Sequence, residues 1–207
     1  AVNLRNAFRR LARRWTRRFD DLSSDLAKYF AIQTAQRSTS ALQSMLKRGG
    51  MSVRFRMTRA MNDVMQATLT QQVSLIKSIP AQYLTQIEGS VMRSVQAGRD
   101  LGSLTKELED HYGVTRRRAA FIARSQNNLA TASMTRVRQQ EAGITEAIWV
   151  HSGGGKEPRP THLKAGRDRV RFRVDEGWWD PAEKKFVWPG QLPNCRCVSR
   201  PVVIGFS

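Results

Sequence analysis

The chain is expected to fold as an α+β protein, with a long-helix N-terminal region followed by a small α+β C-terminal module. Three observations predict this. Apolar residues recur at helical spacing through most of residues 3 to 141. From Ile144 onward that periodicity gives way to glycine, proline, tryptophan and short β-prone runs. Four of the five tryptophans (Trp149, Trp178, Trp179 and Trp188) fall in this last stretch, which gives it an aromatic core or face. The implied organisation is a basic amphipathic helical arm at 1–50, a helical region at 51–143 and a compact module at 144–207.

The first helix is expected over 3 to about 47. Leu4, Phe8, Leu11, Trp15, Phe19, Leu22 and Leu26 are spaced by 4, 3, 4, 4, 3 and 4 residues. At about 100° per residue they form one stripe. Arg5, Arg9, Arg10, Arg13, Arg14, Arg17 and Arg18 fill the rest of the circumference. Such a helix docks its stripe on a core or a partner. Its basic face is then solvated, contacts DNA phosphates, or rests on an anionic lipid surface.

Gly49-Gly50 marks the end of this helix, and 51–56 read as a short extended link. A second helix is expected over 58–77, carrying Met61, Val64, Met65, Leu69, Val73 and Ile76. Ile79-Pro80 should break or kink it, because proline lacks a donor and disfavours helix before it. A further helix runs from 81 to 96, up to Ala97-Gly98. Met51, Met57, Met61, Met65 and Met92 read as gap-filling core.

A short helix is expected over 103–111, capped by Ser103, then a turn at Gly113 and a long helix over 115–141, capped by Thr115 and ended by Gly143. This has the rhythm of a helix-turn-helix. The length of the second helix and its dispersed arginines (Arg116 to Arg118, Arg124, Arg136, Arg138) weigh toward ordinary packing. Beyond it, strands are expected at 144–151, 169–174 and 197–204, with a helical turn at 161–164.

Lys and Arg number 35 against 17 Asp and Glu, a formal charge of +18. A compact protein with that excess repels itself unless an anionic partner offsets it, and double-stranded DNA, bound without sequence preference, is the expected partner. No apolar run reaches the roughly eighteen residues of a membrane span, and no signal segment is visible. The expectation is a soluble chain with no membrane partner, made and used in a cytoplasm. Two cysteines in such a compartment favour thiols or metal ligation over a disulfide.

Those two cysteines, Cys195 and Cys197, are one residue apart and follow His151 and His162. On an extended chain their Cα atoms lie about 6.6 Å apart, at the far limit for a disulfide. With His162 and a fourth ligand such as His151 they suit tetrahedral zinc. The alternative is two small buried thiols on a strand, with His162 bonded to backbone. A hydrolytic reading pairs His162 with Cys195 or Cys197 among basic neighbours (Arg159, Lys164, Arg167, Arg196), which would lower a thiol pKa. Against it, Glu157, Asp168, Asp175, Glu176 and Asp180 show no metal-site spacing, and nothing in the sequence orients His162. No catalytic residue is assigned. Gly153-Gly154-Gly155-Lys156 lacks the spacing of a phosphate loop and reads as a flexible connection.

The ordered set Ile122-Ala123-Arg124, Gly143, Trp149, Arg159 with His162, and Asn194-Cys195-Arg196-Cys197 resembles the phage head-morphogenesis (Mu F-like) minor head protein family, over about residues 75 to 204. The resemblance implies a minor head protein of a tailed double-stranded DNA phage or prophage, assembled in the host cytoplasm and resident in the head interior or at the portal vertex. It implies multiple copies per particle, docking on portal or major capsid protein, and a part in head assembly and DNA packaging or delivery. No enzymatic activity follows from it. Two rivals stand beside it: a helix-turn-helix DNA-binding regulator built on 103–124, and a metal-dependent nuclease or toxin-like enzyme.

Overall fold

The computed structural model describes residues 2–48, 50–96, 101–154 and 157–203. The described chain runs α1 (Val2–Arg48), α2 (Arg59–Gln96), α3 (Leu101–Glu141), β1 (Glu146–Val150), α4 (Pro160–Arg167), β2 (Arg171–Arg173), β3 (Trp178–Asp180), β4 (Lys185–Val187) and β5 (Val198–Pro201). Long helices followed by a small sheet-bearing region make the protein α+β, as the periodicity predicts.

The first helix extends as expected, but its buried face differs from the expected stripe. Leu11, Trp15 and Leu22 are exposed at 47, 43 and 51%. Burial falls instead on small residues further along, among them Ser23, Ala27, Ala31 and Ser38, before Leu42 and Leu46. The hydroxyls on this face are satisfied inside the helix: Ser23 Oγ donates to the Asp20 carbonyl at 2.9 Å and Ser38 Oγ to the Ala35 carbonyl at 3.1 Å. The side chains of Leu4, Arg5 and Phe8 lie outside the described residues.

Two of the expected helix breaks do not occur. α2 continues through Pro80, which is buried, and the apolar surroundings outweigh the roughly 3 kcal/mol intrinsic cost of an interior proline. α3 continues through Gly113 and Thr115, so there is no helix-turn-helix at 103–124. The reason is periodicity. Leu104, Leu108, His111, Thr115, Ala119 and Ile122 keep one shielded face across the glycine. An isolated glycine costs a helix only about 1 kcal/mol.

The chain forms two compact units, Ala1–Tyr29 with Leu69–Ala123 and Phe30–Thr68 with Arg124–Ser207. In the first, ion pairs link Lys77 to Asp20 at 3.2 Å and Arg93 to Glu107 at 2.8 Å, and Ser90 meets His111 Nε2 at 3.0 Å. Leu11, Trp15 and Phe19 share an apolar groove with Pro80, Tyr83 and Tyr112.

The second unit holds the sheet. β1 is central, antiparallel to β2 on one side and to β5 on the other, in the order β2-β1-β5. Ala147 pairs with Phe172 and with Pro201, and Trp149 with Ser199. Alternation along β1 sends Ala147 and Trp149 into the core, both fully buried. β3 and β4 form a separate antiparallel hairpin, pairing Trp179 with Phe186. The strands expected at 144–151, 169–174 and 197–204 are present in shorter form; the hairpin is an addition, and the expected turn at 161–164 is the eight-residue α4.

One core joins Trp149, Phe172, Val174, Val187 and Leu192 to Leu42 and Leu46 of α1. A second joins Ala35, Met61, Met134 and Val137, with Met65 packed against it. Met61 and Met65 thus fill core gaps as expected; Met57 does not, being 57% exposed. Arg138 is buried in this unit. It donates to the Ala35 carbonyl at 3.2 Å and to Ser38 Oγ at 3.3 Å, with its guanidinium 5.5 Å from the Phe55 ring centre. Among the described residues no helix is long and apolar enough to cross a membrane.

Candidate functional site

Three elements of the second unit converge on one buried cluster. α4 starts with Pro160 in its first turn, where the missing N–H costs nothing, and this sets His162 and Ala165 on the same buried face. β3 ends at Asp180, fully buried. The loop before β5 contributes Cys195 and Cys197, exposed at only 4 and 6%, both as free thiols.

The loop is shaped by its own sequence and clamped by α3. Asn194 adopts φ 59°, a left-handed conformation that asparagine tolerates better than most residues. Its N–H donates to Ser125 Oγ at 3.1 Å, and Asn128 Nδ2 donates to the Cys195 carbonyl at 2.9 Å. Gly190, at φ 85°, brings its N–H to within 3.3 Å of Cys195 Sγ. A side chain at Gly190 would also meet Ala132 Cβ at 3.0 Å.

At the centre, His162 Nε2 lies 3.1 Å from Asp180 Oδ2. Its other nitrogen, Nδ1, lies 3.4 Å from Cys195 Sγ and 3.9 Å from Cys197 Sγ. Asp180 is itself held, its Oδ1 accepting the Ala182 N–H at 3.0 Å. The rings of Trp149 and Trp178 wall the imidazole, edge-on at centroid distances of 4.8 and 6.3 Å. The ligating atoms of His162, Cys195 and Cys197 all lie within 4.8 Å of one another.

The two thiols differ electrically. Cys195 is pulled well below the ordinary thiol range, first by a hydrogen bond from Cys197, then, against the cost of burial, by His162 and the backbone N–H groups of Cys197 and Gly190. Cys197 is pushed up, because its proton is held by Cys195 and because it is buried.

Of the four residues singled out as metal ligands, the structure brings together His162, Cys195 and Cys197 and leaves His151 outside that cluster. His151 follows β1 and lines a cleft with Arg124, Arg159, Arg196 and the three clustered side chains. Its Nδ1 accepts the Gly153 N–H at 3.1 Å. The sequence shows no recognisable triad order around His162, and the structure places Asp180 at its Nε2. No spacing rule links an aspartate to a histidine 18 residues earlier, although Asp180-Pro181 is a turn signal. Asp180, His162 and Cys195 have the connectivity of a carboxylate–histidine–thiol triad, with the thiol only 4% exposed where it lines that cleft.

The arginines assigned to nucleic acid lie on α1 in the other unit. Arg9, Arg10, Arg13, Arg14, Arg17 and Arg18 are exposed, and the Arg18 guanidinium lies 5.5 Å from the Trp15 ring centre. The side chain of Arg5 is outside the described residues.

With this geometry in place, similarity to known proteins can be stated. The family described as Phage Mu protein F like protein matches residues 85–200. A Haemophilus influenzae protein described as uncharacterized is 34% identical over 131 residues, which is 63% of this chain and 28% of that protein. The chain thus spans less than a third of the relative's length. No solved structure matches it.

Proposed function

Because the chain belongs to the Phage Mu protein F like family, a family of phage head morphogenesis, we propose that it is a minor head protein of a tailed double-stranded DNA phage or prophage. It acts in the head interior or at the portal vertex, in several copies, docked on portal or major capsid protein. There it serves head assembly and the packaging or delivery of DNA. The observation that carries this is the family match across more than half of the chain.

The electrostatics support the same role. A chain of charge +18 beside packed DNA replaces phosphate counterions, and the first part of α1 offers the exposed Arg9, Arg10, Arg13, Arg14, Arg17 and Arg18 for that exchange. Such contacts hold DNA without reading its sequence, because they reach phosphates and not base edges. The role is structural, and the buried thiols serve the fold.

Deleting the gene from the phage that encodes it tests the proposal. Mutant lysates should yield fewer infectious particles per assembled head, and the wild-type protein should co-sediment with heads. Normal infectivity of the mutant, with the protein recovered only in the unassembled soluble fraction, would overturn it.

A further inference from the structure

We propose that His162 Nδ1, Cys195 Sγ and Cys197 Sγ hold one zinc ion, that Asp180 fixes the histidine for this purpose, and that the fourth coordination position is taken by water from the basic cleft. This goes beyond the assignment as a head protein and does not depend on it.

The first support is distance. Tetrahedral zinc, with bonds of about 2.3 Å to sulfur and about 2.0–2.1 Å to nitrogen, places a bound nitrogen about 3.6 Å from each bound sulfur. The observed separations are 3.4 and 3.9 Å, so both nitrogen–sulfur distances already suit a shared ion. A hydrogen bond from the imidazole engages one sulfur at a time, whereas a central cation engages both at once.

The second support is orientation. A neutral histidine carries one N–H, and a buried carboxylate at 3.1 Å draws it to Nε2. Nδ1, the nitrogen that lies 3.4 and 3.9 Å from the two sulfurs, is then the one free to ligate. A carboxylate behind a ligating histidine is the usual means of fixing tautomer and ring angle at a metal. Asp180 has no other cationic partner among the described residues, so its burial is explained by this histidine and whatever the histidine holds.

The third support is the donor set itself. Two thiolates and an imidazole favour zinc over the hard cations magnesium and calcium, which take oxygen. The three ligands come from α4 and from a loop of little regular hydrogen bonding, so the ion ties that loop to the helix. The cleft above holds His151, Glu157, Arg159 and Arg196, but among the described residues no fourth ligand atom falls within the cluster, which leaves the last position to solvent.

The purified chain tests this directly. Elemental analysis after expression with zinc should find one zinc per chain. Cobalt(II) replacing it should give thiolate-to-cobalt charge-transfer absorption and the intense visible bands of tetrahedral cobalt. In chelator competition, Asp180→Asn should weaken zinc binding 10- to 100-fold while the circular dichroism spectrum is retained. Cys197→Ser should lose the charge-transfer band in part, and His151→Ala should leave the visible cobalt bands unchanged.

A wild-type chain without stoichiometric zinc and without the cobalt charge-transfer band would overturn the site, whatever the variants do. Rapid stoichiometric alkylation of Cys195 in such a metal-free chain would assign the cluster to a nucleophilic thiol instead. Unchanged zinc affinity in Asp180→Asn would overturn the positioning role of Asp180, and shifted cobalt bands in His151→Ala would overturn the open fourth position.

Discussion

Arg138 shows how a single polar residue is accommodated in this helical protein. It is only 5% exposed, and burial pushes its guanidinium below the usual arginine pKa. Its guanidinium lies 5.5 Å from the Phe55 ring centre, while one nitrogen donates to the Ala35 carbonyl and Ser38 Oγ. Truncation removes both hydrogen bonds and opens a cavity. Arg138→Ala is therefore expected to cost about 2–3 kcal/mol in urea unfolding, since hydrogen bonds to a charged group and buried packing are lost together. Arg138→Met should cost distinctly less, because it keeps the stem and removes the need to bury a cation. Equal losses for the two would mean that the charge, and not the packing, holds this site. Asp180 is the opposite kind of residue: its value is not local packing but its contact with His162 Nε2 at 3.1 Å, a relation that only the folded chain reveals.

At the scale of elements, two glycines make opposite predictions. Gly113 sits inside α3, and an added Cβ would meet nothing nearer than an Arg117 side-chain nitrogen at 3.5 Å. Gly113→Ala should therefore stabilise the protein by up to about 1 kcal/mol, the ordinary gain of alanine over glycine in a helix. A turn at this position, as a helix-turn-helix requires, would make the same change destabilising, so thermal melts decide between the two. Gly166 sits in α4, where an added Cβ would lie 2.5 Å from His151 Cβ and 2.9 Å from the His151 backbone nitrogen. The backbone cannot swing aside as a side chain can. Gly166→Ala should cost about 1–3 kcal/mol through overpacking and displace α4, which carries His162. A melting temperature matching wild type would show that α4 and β1 do not approach so closely. The helical character of most of the chain up to Glu141 is legible in the apolar period. The continuity of α2 through Pro80 and of α3 through Gly113 is not, because a breaker residue shows locally while the packing that overrides it does not. The β3–β4 hairpin is not legible either, because triads of three residues are too short to show alternation.

For the whole molecule, class and charge are legible from composition and pattern, whereas the site is only half so. Rare side chains at short spacing mark Cys195, Cys197 and His162, but the choice among histidines and the presence of Asp180 depend on where β1, α4 and β3 end in space. Charge leads to the remaining prediction. If α1 contacts DNA through its arginines, each phosphate contact releases counterions and contributes about −0.9 to the slope of log affinity against log salt. Replacing Arg9, Arg10, Arg13, Arg14, Arg17 and Arg18 by glutamine should flatten that slope by at most about 5. All six are exposed, so the fold should be unaffected, which circular dichroism checks. The loss in affinity should be the same for unrelated duplexes, because phosphates carry no sequence. A wild-type chain that keeps one duplex bound against excess competitor DNA would instead be reading bases. A sixfold variant with wild-type affinity and slope would move the DNA contact away from α1 altogether.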